Sequence, residues 1–468
     1  MSVLLLSTYD LGRQPFGLAS PVAWLREAGL EVEAVDLSRD RLAPDLLARA
    51  ALVAVYLPMH TATRLALPVL EAIRRRAPHA RLAAYGLYAP LNEALLRAHG
   101  VEHILGPEFE ADLVDLARTA CGAPAAADPP GVPIAPVAPH QHHPNDLGHP
   151  PRPLPRLAFL PPDRRGLPDL SRYARLSWPD GSERLVGSTE ATRGCKHTCR
   201  HCPIVPVYGG QFRVVPVTVV LEDVARQVEA GAGHITFADP DFLNGPTHAR
   251  RIVEGLHARW PSLSYDVIIK VEHLRRHADL LPVLAETGCA FVTSAVESVD
   301  DRVLAHLDKG HTRADVAWVA EACRRAGLPF VPTFVAFTPW TTTEGYLDLL
   351  DTMAGLGLVE HVAPVQWTIR LLVTWQSRLL ELDDIAALTG PFDPVTLTYP
   401  WQHPDPAVDA LQHAVMSLVG VRAHRPRREV FARIRELAQA AAGEAAPPAL
   451  PPLLSRAAIP YLNEPWYC

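Results

Sequence analysis

Three cysteines within eight residues constrain this chain more than any other feature. They are Cys195, Cys199 and Cys202, in the spacing C-x3-C-x2-C. A loop this short can turn three sulfurs onto one [4Fe–4S] cube, which needs four ligands, so one iron stays open for another molecule. The alternative is a zinc knot whose fourth ligand is His197 or His201, although zinc loops usually bring their ligands as separated pairs.

The cysteine triplet and its surroundings resemble the radical S-adenosylmethionine (SAM) enzymes over residues 185 to about 370. In that family the open iron chelates the amine and the carboxylate of SAM. The family usually has an aromatic residue just before the third cysteine, where this chain has His201. The resemblance therefore implies a [4Fe–4S] cluster and SAM as cofactors, with the His201 imidazole stacked on adenine.

Carboxylates after two predicted strands carry the rest of the resemblance. Asp239 and Asp241 follow a strand predicted at 234–238, and Glu297 and Ser298 follow one predicted at 290–296. After the first of these strands the family has a Gly-Gly-Glu segment that holds the SAM amino group, so the resemblance implies Asp239 as its partner and Asp241 as a second polar wall. Glu297 and Ser298 match a pair that approaches the SAM ribose or carboxylate. For the two aspartates, capping of the next helix is the alternative.

The region around the cysteines predicts a barrel, because apolar strands alternate with helices from residue 187 onward. The candidate strands are 187–191, 234–238, 265–270, 290–296, 330–337 and 362–369. Six such units predict a partial (β/α)6 TIM barrel, which is also the architecture of the family. Chemistry in such barrels lies at the carboxyl ends of the strands, where the cysteine loop would fall.

Residues 1–120 predict a separate α/β domain. Strands at 3–7, 32–36, 51–56 and 81–86 alternate with helices, which is typical of a doubly wound, Rossmann-like parallel sheet. Their order resembles the cobalamin-binding domain fused to many radical SAM enzymes. That domain has Asp-x-His-x-x-Gly after its first strand, and this chain has Asp10-Leu11-Gly12. The domain therefore either binds cobalamin without a lower histidine or serves as a platform for substrate or docking.

The composition of residues 121–468 changes along the chain and indicates three further segments. Residues 121–180 predict a linker rich in Pro and Ala, followed by a segment that caps the barrel domain at 181–375. Four scattered histidines in the linker read as solvated side chains; they are His140, His142, His143 and His149. Residues 376–468 predict a small helical C-terminal region with a mobile tail.

The tail ends in Cys468, a free thiol. It resembles a radical SAM subgroup whose tails carry Cys-Sec or Cys-Cys followed by Ala-Glu-Pro. The resemblance implies a redox tail and a chain that stops at a selenocysteine codon. An incidental cysteine at an ordinary C-terminus is the alternative.

Bulk composition excludes several classes of protein. A net charge of −7 gives no reason to expect a nucleic-acid partner, and no apolar run approaches a signal peptide or a membrane helix. Seven cysteines, three of them in one loop, suit a reducing compartment better than a disulfide framework. We therefore expect a cytoplasmic protein without a membrane partner.

These features together predict a radical SAM enzyme. It would cleave SAM to a 5′-deoxyadenosyl radical that abstracts hydrogen from an unidentified small-molecule or peptide substrate. A reducing partner such as flavodoxin or ferredoxin is implied by the resemblance. Cobalamin-dependent methyl transfer and a cobalamin-free rearrangement or oxidation are two open branches. The alternative is a non-catalytic iron–sulfur or zinc protein for electron transfer or docking, which would have no use for carboxylates at the ends of two strands.

Overall fold

The computed structural model describes residues 2–123, 158–422, 425–444 and 457–463. The chain divides into two compact units. The first comprises Met1–Asp10, Pro15–Leu167 and Pro206–Gly209, and the second comprises Leu11–Gln14, Pro168–Val205 and Gly210–Cys468. The four linker histidines and Cys468 lie outside the described residues, so the predictions made for them stay predictions.

The first unit is built on a five-stranded parallel sheet in the order β2-β1-β3-β4-β5. Its strands are β1 (Ser2–Ser7), β2 (Val32–Asp36), β3 (Ala50–Tyr56), β4 (Arg81–Tyr85) and β5 (His103–Leu105). Its helices are α1 (Phe16–Glu27), α2 (Pro44–Arg49), α3 (His60–Arg76), α4 (Tyr88–Leu91), α5 (Glu93–Ala98) and α6 (Glu110–Cys121). The predicted doubly wound sheet is confirmed, with β5 as an additional strand.

Both faces of this sheet are buried. Along β1, Leu4 and Leu6 pack into one hydrophobic cluster while Val3 and Leu5 pack into another on the opposite face. Side chains alternate between faces along a strand, and a parallel sheet covered by helices on both faces needs apolar residues at every position. This requirement explains the unbroken apolar run at the start of the sequence. The strand order reverses between β1 and β3, where such sheets bind ligands at the carboxyl ends of their strands.

The second unit is built on a seven-stranded sheet in the order β13-β12-β11-β10-β7-β6-β14, and a separate hairpin pairs β8 with β9. Its strands are β6 (Arg175–Ser177), β7 (Glu183–Thr189), β8 (Thr192–Gly194), β9 (Phe212–Val214), β10 (His234–Phe237), β11 (Ser264–Ile268), β12 (Cys289–Glu297), β13 (Phe330–Phe334) and β14 (Tyr461–Leu462). The five strands β7, β10, β11, β12 and β13 run parallel and form a curled half-barrel.

Helices follow these strands, as the alternation predicts. The helices of this unit begin with α8 (Val217–Glu229), α9 (Pro246–Arg259), α10 (Val271–Arg276), α11 (Leu280–Glu286) and α12 (Asp301–His306). The short helix α7 (Val205–Tyr208) precedes them in sequence, and all but its first residue belongs to the first unit. The remaining helices are α13 (Arg313–Arg325), α14 (Thr343–Gly355), α15 (Asp383–Leu388), α16 (Pro406–Arg422) and α17 (Arg427–Ala442). The α/β class and the helical C-terminal region are thus as expected.

The sixth predicted barrel strand, at 362–369, differs from the expectation. Residues Pro364–Trp367 form a 3-10 turn, and one isolated parallel bridge between Phe337 and Arg370 is the only strand-like pairing described there. Pro364 begins the turn because it lacks the N–H that a sheet needs. Trp367 stacks on Phe334 and packs edge-on against Phe431 of α17. The apolar character of this segment therefore reflects burial beneath α17.

The end of the described chain is attached to the sheet. Tyr461 and Leu462 of β14 pair with β6, and Asn463 exchanges two hydrogen bonds of 2.9 Å with the backbone of Arg175. Residues 461–463, which we predicted to be mobile, are therefore held at the sheet edge. Among the described residues, no helix combines the length and the hydropathy needed to cross a bilayer.

Candidate active site

The cysteine loop lies at the carboxyl end of β7, the first parallel strand of the half-barrel. After β7 the chain forms β8, turns at Gly194 with φ +78°, and enters the loop. Positive φ is strained for residues with a side chain, so glycine suits this turn. The antiparallel pairing of β8 with β9 closes the two ends of the loop. Cys199 is buried, whereas Cys195 and Cys202 are half-buried.

One buried asparagine holds the start of the loop. The Asn244 side-chain amide donates to Gly194 O at 3.1 Å and to Thr192 Oγ1 at 3.3 Å. Its oxygen accepts from Lys196 N at 3.2 Å. Both ends of the amide are therefore used to fix the backbone around Cys195. Asn244 was not predicted as a site residue, because its local sequence does not distinguish it from a helix-capping residue.

Two arginines hold the rest of the loop. Arg378 Nη1 donates to Thr198 O at 2.8 Å. Arg200 donates from its backbone N to Leu307 O at 3.0 Å, and from its guanidinium to His306 O at 3.0 Å. This part of the loop is thus held by contacts between residues more than 100 positions apart in sequence.

At least one pair of the three sulfurs lies more than 4.8 Å apart, which is farther than the ligand atoms of a single tetrahedral ion. Thiolates around one zinc lie about 3.8 Å apart, because each Zn–S bond is about 2.3 Å long. Among the described residues, one group of three His, Cys, Asp or Glu ligand atoms lies within 4.8 Å of one another, and it is not the cysteine triplet. His197 and His201 instead face Asp241 and Glu297. Three thiols in a closed loop, without a converging fourth ligand, fit a cluster with one open iron.

Burial controls the protonation of these thiols. It raises the pKa of Cys195 to about 12 and that of Cys202 to about 11. Without a metal, both groups are protonated at neutral pH. Metal ligation requires thiolates, so loading of the loop releases protons and depends on pH.

Glu297 and His201, both predicted SAM ligands, are brought into contact. Glu297 Oε1 lies 3.1 Å from His201 Nε2 and 3.5 Å from Lys309 Nζ. Burial alone would raise the pKa of Glu297, but Lys309 and His201 lower it to about 2. Glu297 also has a backbone φ of +69°, a conformation that costs energy for a residue with a side chain and is concentrated at functional sites. A charged, strained and buried cluster thus lies next to Cys202.

Asp239 has structural partners already. Its carboxylate accepts hydrogen bonds from Ala191 N at 2.9 Å, from Thr192 N, and from Thr192 Oγ1 at 2.6 Å. Burial raises its pKa to about 7, against the lowering effect of these bonds. The structure therefore places Asp239 where it holds the entry to β8. Ser298, another predicted SAM residue, accepts from Asp300 N at 3.1 Å at the turn into α12.

Asp241 lies with two imidazoles rather than along an open wall. Its Oδ2 is 2.8 Å from His273 Nδ1 and 3.3 Å from His197 Nε2, while its Oδ1 accepts from Leu243 N at 3.0 Å. Burial alone would raise the pKa of Asp241, but the two imidazoles lower it below its usual value. Burial has the opposite effect on an imidazole, because it disfavours the protonated form, and it lowers the pKa of His197. Capping of the following 3-10 turn, the alternative stated above, is thus one of its uses.

Two residues of the site were not assigned from the sequence. Lys309 is almost fully buried beside Glu297, and His273 is fully buried beside Asp241. A buried lysine is exceptional unless it is paired, but burial itself is not visible in the local sequence of either residue.

A known protein family matches this same region of the chain. Residues 189–353, which contain the cysteine loop, β10, β12 and α13, match the model of the radical SAM superfamily. These residues form a radical SAM domain. The family uses a [4Fe–4S] cluster and SAM, and the loop fits the cluster by the criteria given above.

Relatives of the radical SAM domain extend the comparison. The bacteriochlorophyllide d C-12(1)-methyltransferase of Chlorobaculum tepidum is 27% identical over 130 residues, which are 26% of this chain and 27% of that protein. The chain thus matches about a quarter of that relative's length. The solved structure of the cobalamin-dependent SAM radical enzyme OxsB, with aqua-cobalamin and SAM bound, has a TM-score of 0.71 at 13% identity and covers 94% of this chain and 71% of that one. The radical SAM methyltransferase TsrM from Kitasatospora setae has a TM-score of 0.63 at 17% identity and covers 94% and 100%.

Those similarities confirm the expected fold, including the cobalamin-binding-like first unit. At its switch point, Ser7 Oγ is buried at the end of β1 with no hydrogen-bond partner among the described residues. At the end of β4, Gly86 has φ +105°, and a Cβ there would lie 3.0 Å from Leu57 O. Gly86 is thus required by close packing against Leu57, whereas the orphaned Ser7 hydroxyl fits a bound polar ligand at this edge. Residues 8–15, between β1 and α1, contain no histidine.

Proposed function

We propose that this chain is a radical SAM enzyme with a [4Fe–4S] cluster on Cys195, Cys199 and Cys202. When bound, the cluster supplies the electron that splits SAM into methionine and a 5′-deoxyadenosyl radical, which removes hydrogen from a substrate. The observation that carries the proposal is the position of the cysteine loop. It lies at the carboxyl end of the first half-barrel strand, with the Glu297 cluster beside Cys202.

The residues of the site support distinct roles. Glu297 is ionised at neutral pH and suits the ammonium of SAM, while Lys309 suits its carboxylate or neutralises Glu297. His201 is oriented by Glu297 through Nε2, which leaves its ring face for adenine. Asp239 is the weaker candidate for SAM, because both of its oxygens already accept hydrogen bonds. Ser298 and Asp241 each accept one backbone hydrogen bond as well. Their contacts with SAM therefore remain predictions, as the contact of Asp239 does.

Cobalamin-dependent methyl transfer is the branch that the first unit favours. The orphaned Ser7 hydroxyl fits a ligand at the switch point of its sheet, and OxsB and TsrM show the same fold at over 90% coverage of this chain. Cobalamin bound there would have no protein histidine from residues 8–15. Reconstituted chain should therefore retain cobalamin on gel filtration, and Ser7→Val, which removes the orphaned hydroxyl, should weaken retention without affecting the cluster. If neither the parent chain nor the variant retains cobalamin, that result favours the first unit as a platform for substrate or docking.

The surroundings of the reaction are part of the proposal. A thiolate-bound cluster needs a reducing compartment and an electron donor, so we place the protein in the cytoplasm with a flavodoxin or ferredoxin as reductant. The substrate class stays open between a small molecule and a peptide. The net charge of −7 offers no general attraction to nucleic acid.

The decisive test is SAM cleavage by anaerobically reconstituted protein. With dithionite, it should release 5′-deoxyadenosine, and Cys199→Ala should abolish both the release and the visible absorption of the cluster. Cys323→Ala is the matched control, because Cys323 is a buried thiol on α13 outside the loop. Bound zinc without iron in anaerobic preparations would contradict the proposal and favour the non-catalytic alternative.

A further inference from the structure

His197, Asp241 and His273 form a compact group beside the cysteine loop. They come from three segments, namely the loop itself, the turn after β10, and α10. Asp241 Oδ2 lies 2.8 Å from His273 Nδ1 and 3.3 Å from His197 Nε2. One ligand atom from each residue lies within 4.8 Å of the others. Two nitrogens and one oxygen therefore converge on one small volume.

These contacts are not satisfactory hydrogen bonds. Despite the short distances, four atoms lack an aligned hydrogen-bond partner among the described residues; they are His197 Nε2, Asp241 Oδ2, and both ring nitrogens of His273. Asp241 is 1% exposed and His273 is fully buried. A buried polar atom without a partner destabilises the folded state. Four such atoms in one place need an explanation.

A single metal ion explains both the distances and the poor alignment. Ligand atoms that are about 2.0–2.1 Å from one ion, at angles of about 90–109°, lie about 2.9–3.4 Å apart. The two measured distances, 2.8 and 3.3 Å, are close to this range. Metal ligands point their lone pairs at the ion rather than at one another, so they lack hydrogen-bond alignment.

We propose that His197, Asp241 and His273 bind a divalent transition-metal ion, as a second metal site separate from the three cysteines. Two imidazoles and one carboxylate suit first-row ions such as Zn²⁺ or Fe²⁺, and three protein ligands leave positions open. Because His197 lies between Cys195 and Cys199 in sequence, the ion ties the cysteine loop to α10 and to the end of β10.

A pair of charged residues surrounds the proposed site. Glu272 Oε2 lies 3.7 Å from His197 Nδ1 and 3.2 Å from Lys270 Nζ. Outer carboxylates commonly orient a metal-bound imidazole. Lys270 Nζ is 3.2 Å from the same Nδ1, and this contact defines the competing arrangement. There Lys270 donates to Nδ1, His197 Nε2–H faces Asp241, and no ion is bound.

The test separates this site from the cluster. The triple variant Cys195→Ala, Cys199→Ala, Cys202→Ala of the whole 468-residue chain should bind no cluster, and Co²⁺ serves as the probe. We expect one equivalent of Co²⁺ with visible d–d absorption and without the intense near-ultraviolet charge transfer of a thiolate ligand. His273→Ala and Asp241→Asn on this background should weaken binding by more than about tenfold, which even an outer-shell change can cause.

Controls keep the result interpretable. His277→Ala removes a neighbouring imidazole, 5.8 Å from the His273 ring and outside the group, and should leave Co²⁺ binding unchanged. Asp241→Asn is nearly isosteric, and circular dichroism reports whether each variant is folded. Failure of the folded triple variant to bind Co²⁺ would overturn the proposal and favour the hydrogen-bonded arrangement. That outcome would not affect SAM cleavage by the unmodified chain, which tests the proposed function separately.

Discussion

The carboxylate of Glu297 contacts the imidazole of His201 at 3.1 Å, although 96 residues separate them in sequence. The contact joins the end of β12 to the residue before Cys202. Lys309 adds a buried positive charge to the same carboxylate. Glu297 therefore joins two positively polarised groups next to the cysteine loop.

Glu297→Gln should weaken SAM binding while the visible absorption of the cluster persists. The substitution removes the charge but keeps the shape, and hydrogen bonds to charged groups contribute about 1.5–3 kcal/mol. The dissociation constant for SAM should therefore rise by about 10- to 100-fold in equilibrium dialysis. Asp266→Asn is the matched control, because Asp266 is a buried carboxylate on β11 that contacts the imidazole of His234 at 2.8 Å outside the predicted SAM site. An equal effect of the two variants would mean that the pocket lies elsewhere.

Asp239→Ala should destabilise the second unit more than it weakens SAM binding. The substitution leaves Ala191 N and Thr192 N buried without their acceptor. Each loss costs about 1–3 kcal/mol, so we expect the free energy of unfolding to fall by about 3 kcal/mol in urea titrations. Asp239→Asn keeps one acceptor oxygen and should lose less. If Asp239→Asn is fully stable but no longer binds SAM, the carboxylate is a SAM ligand.

Asn244→Ala should make the cluster labile. Three hydrogen bonds fix the backbone around Cys195, and their loss leaves that part of the loop free to move. We expect the 400 nm absorption to decay several-fold faster in the presence of a chelator. Asn92→Ala is the matched control, since Asn92 is a buried asparagine that donates to Tyr88 O in the first unit. Equal decay rates in both variants would contradict the role of Asn244.

Asp163→Asn should lower stability at neutral pH and lose its effect in acid. Burial alone would raise the pKa of Asp163, but hydrogen bonds from Arg165 and Arg26 lower it well below its usual range. A folded-state pKa below the unfolded value of about 3.9 stabilises the protein above that value, and the stabilisation is lost as pH falls.

We expect a loss of at most about 1 kcal/mol at pH 7, because the pair with Arg26 is partly exposed and screened. The difference should shrink below about pH 4. Urea titrations from pH 3 to 7 on the cluster-free Cys199→Ala background check this, since acid destroys iron–sulfur clusters. A difference that grows in acid would contradict the assignment.

Local patterns in the sequence determined the fold class and the chemistry of the cysteine loop. Both depend on spacings of two to four residues, such as C-x3-C-x2-C and the alternation along strands. The strands β2, β10 and β12 were predicted to within one residue of their observed ends. The segment 362–369 was predicted as a strand because its apolar run matches a strand as well as a buried turn, and only packing against α17 distinguishes them.

Tertiary structure alone decided which polar groups meet. Asp239 and Asp241 are two residues apart and indistinguishable in sequence, yet one holds the backbone of β8 and the other faces His197 and His273. Lys309 became part of the site because the turn after α12 returns it to Glu297. The physical reason is that a side chain's partners depend on the order and register of strands far apart in the chain. Local spacing sets the face of a strand, whereas sheet assembly sets what that face meets.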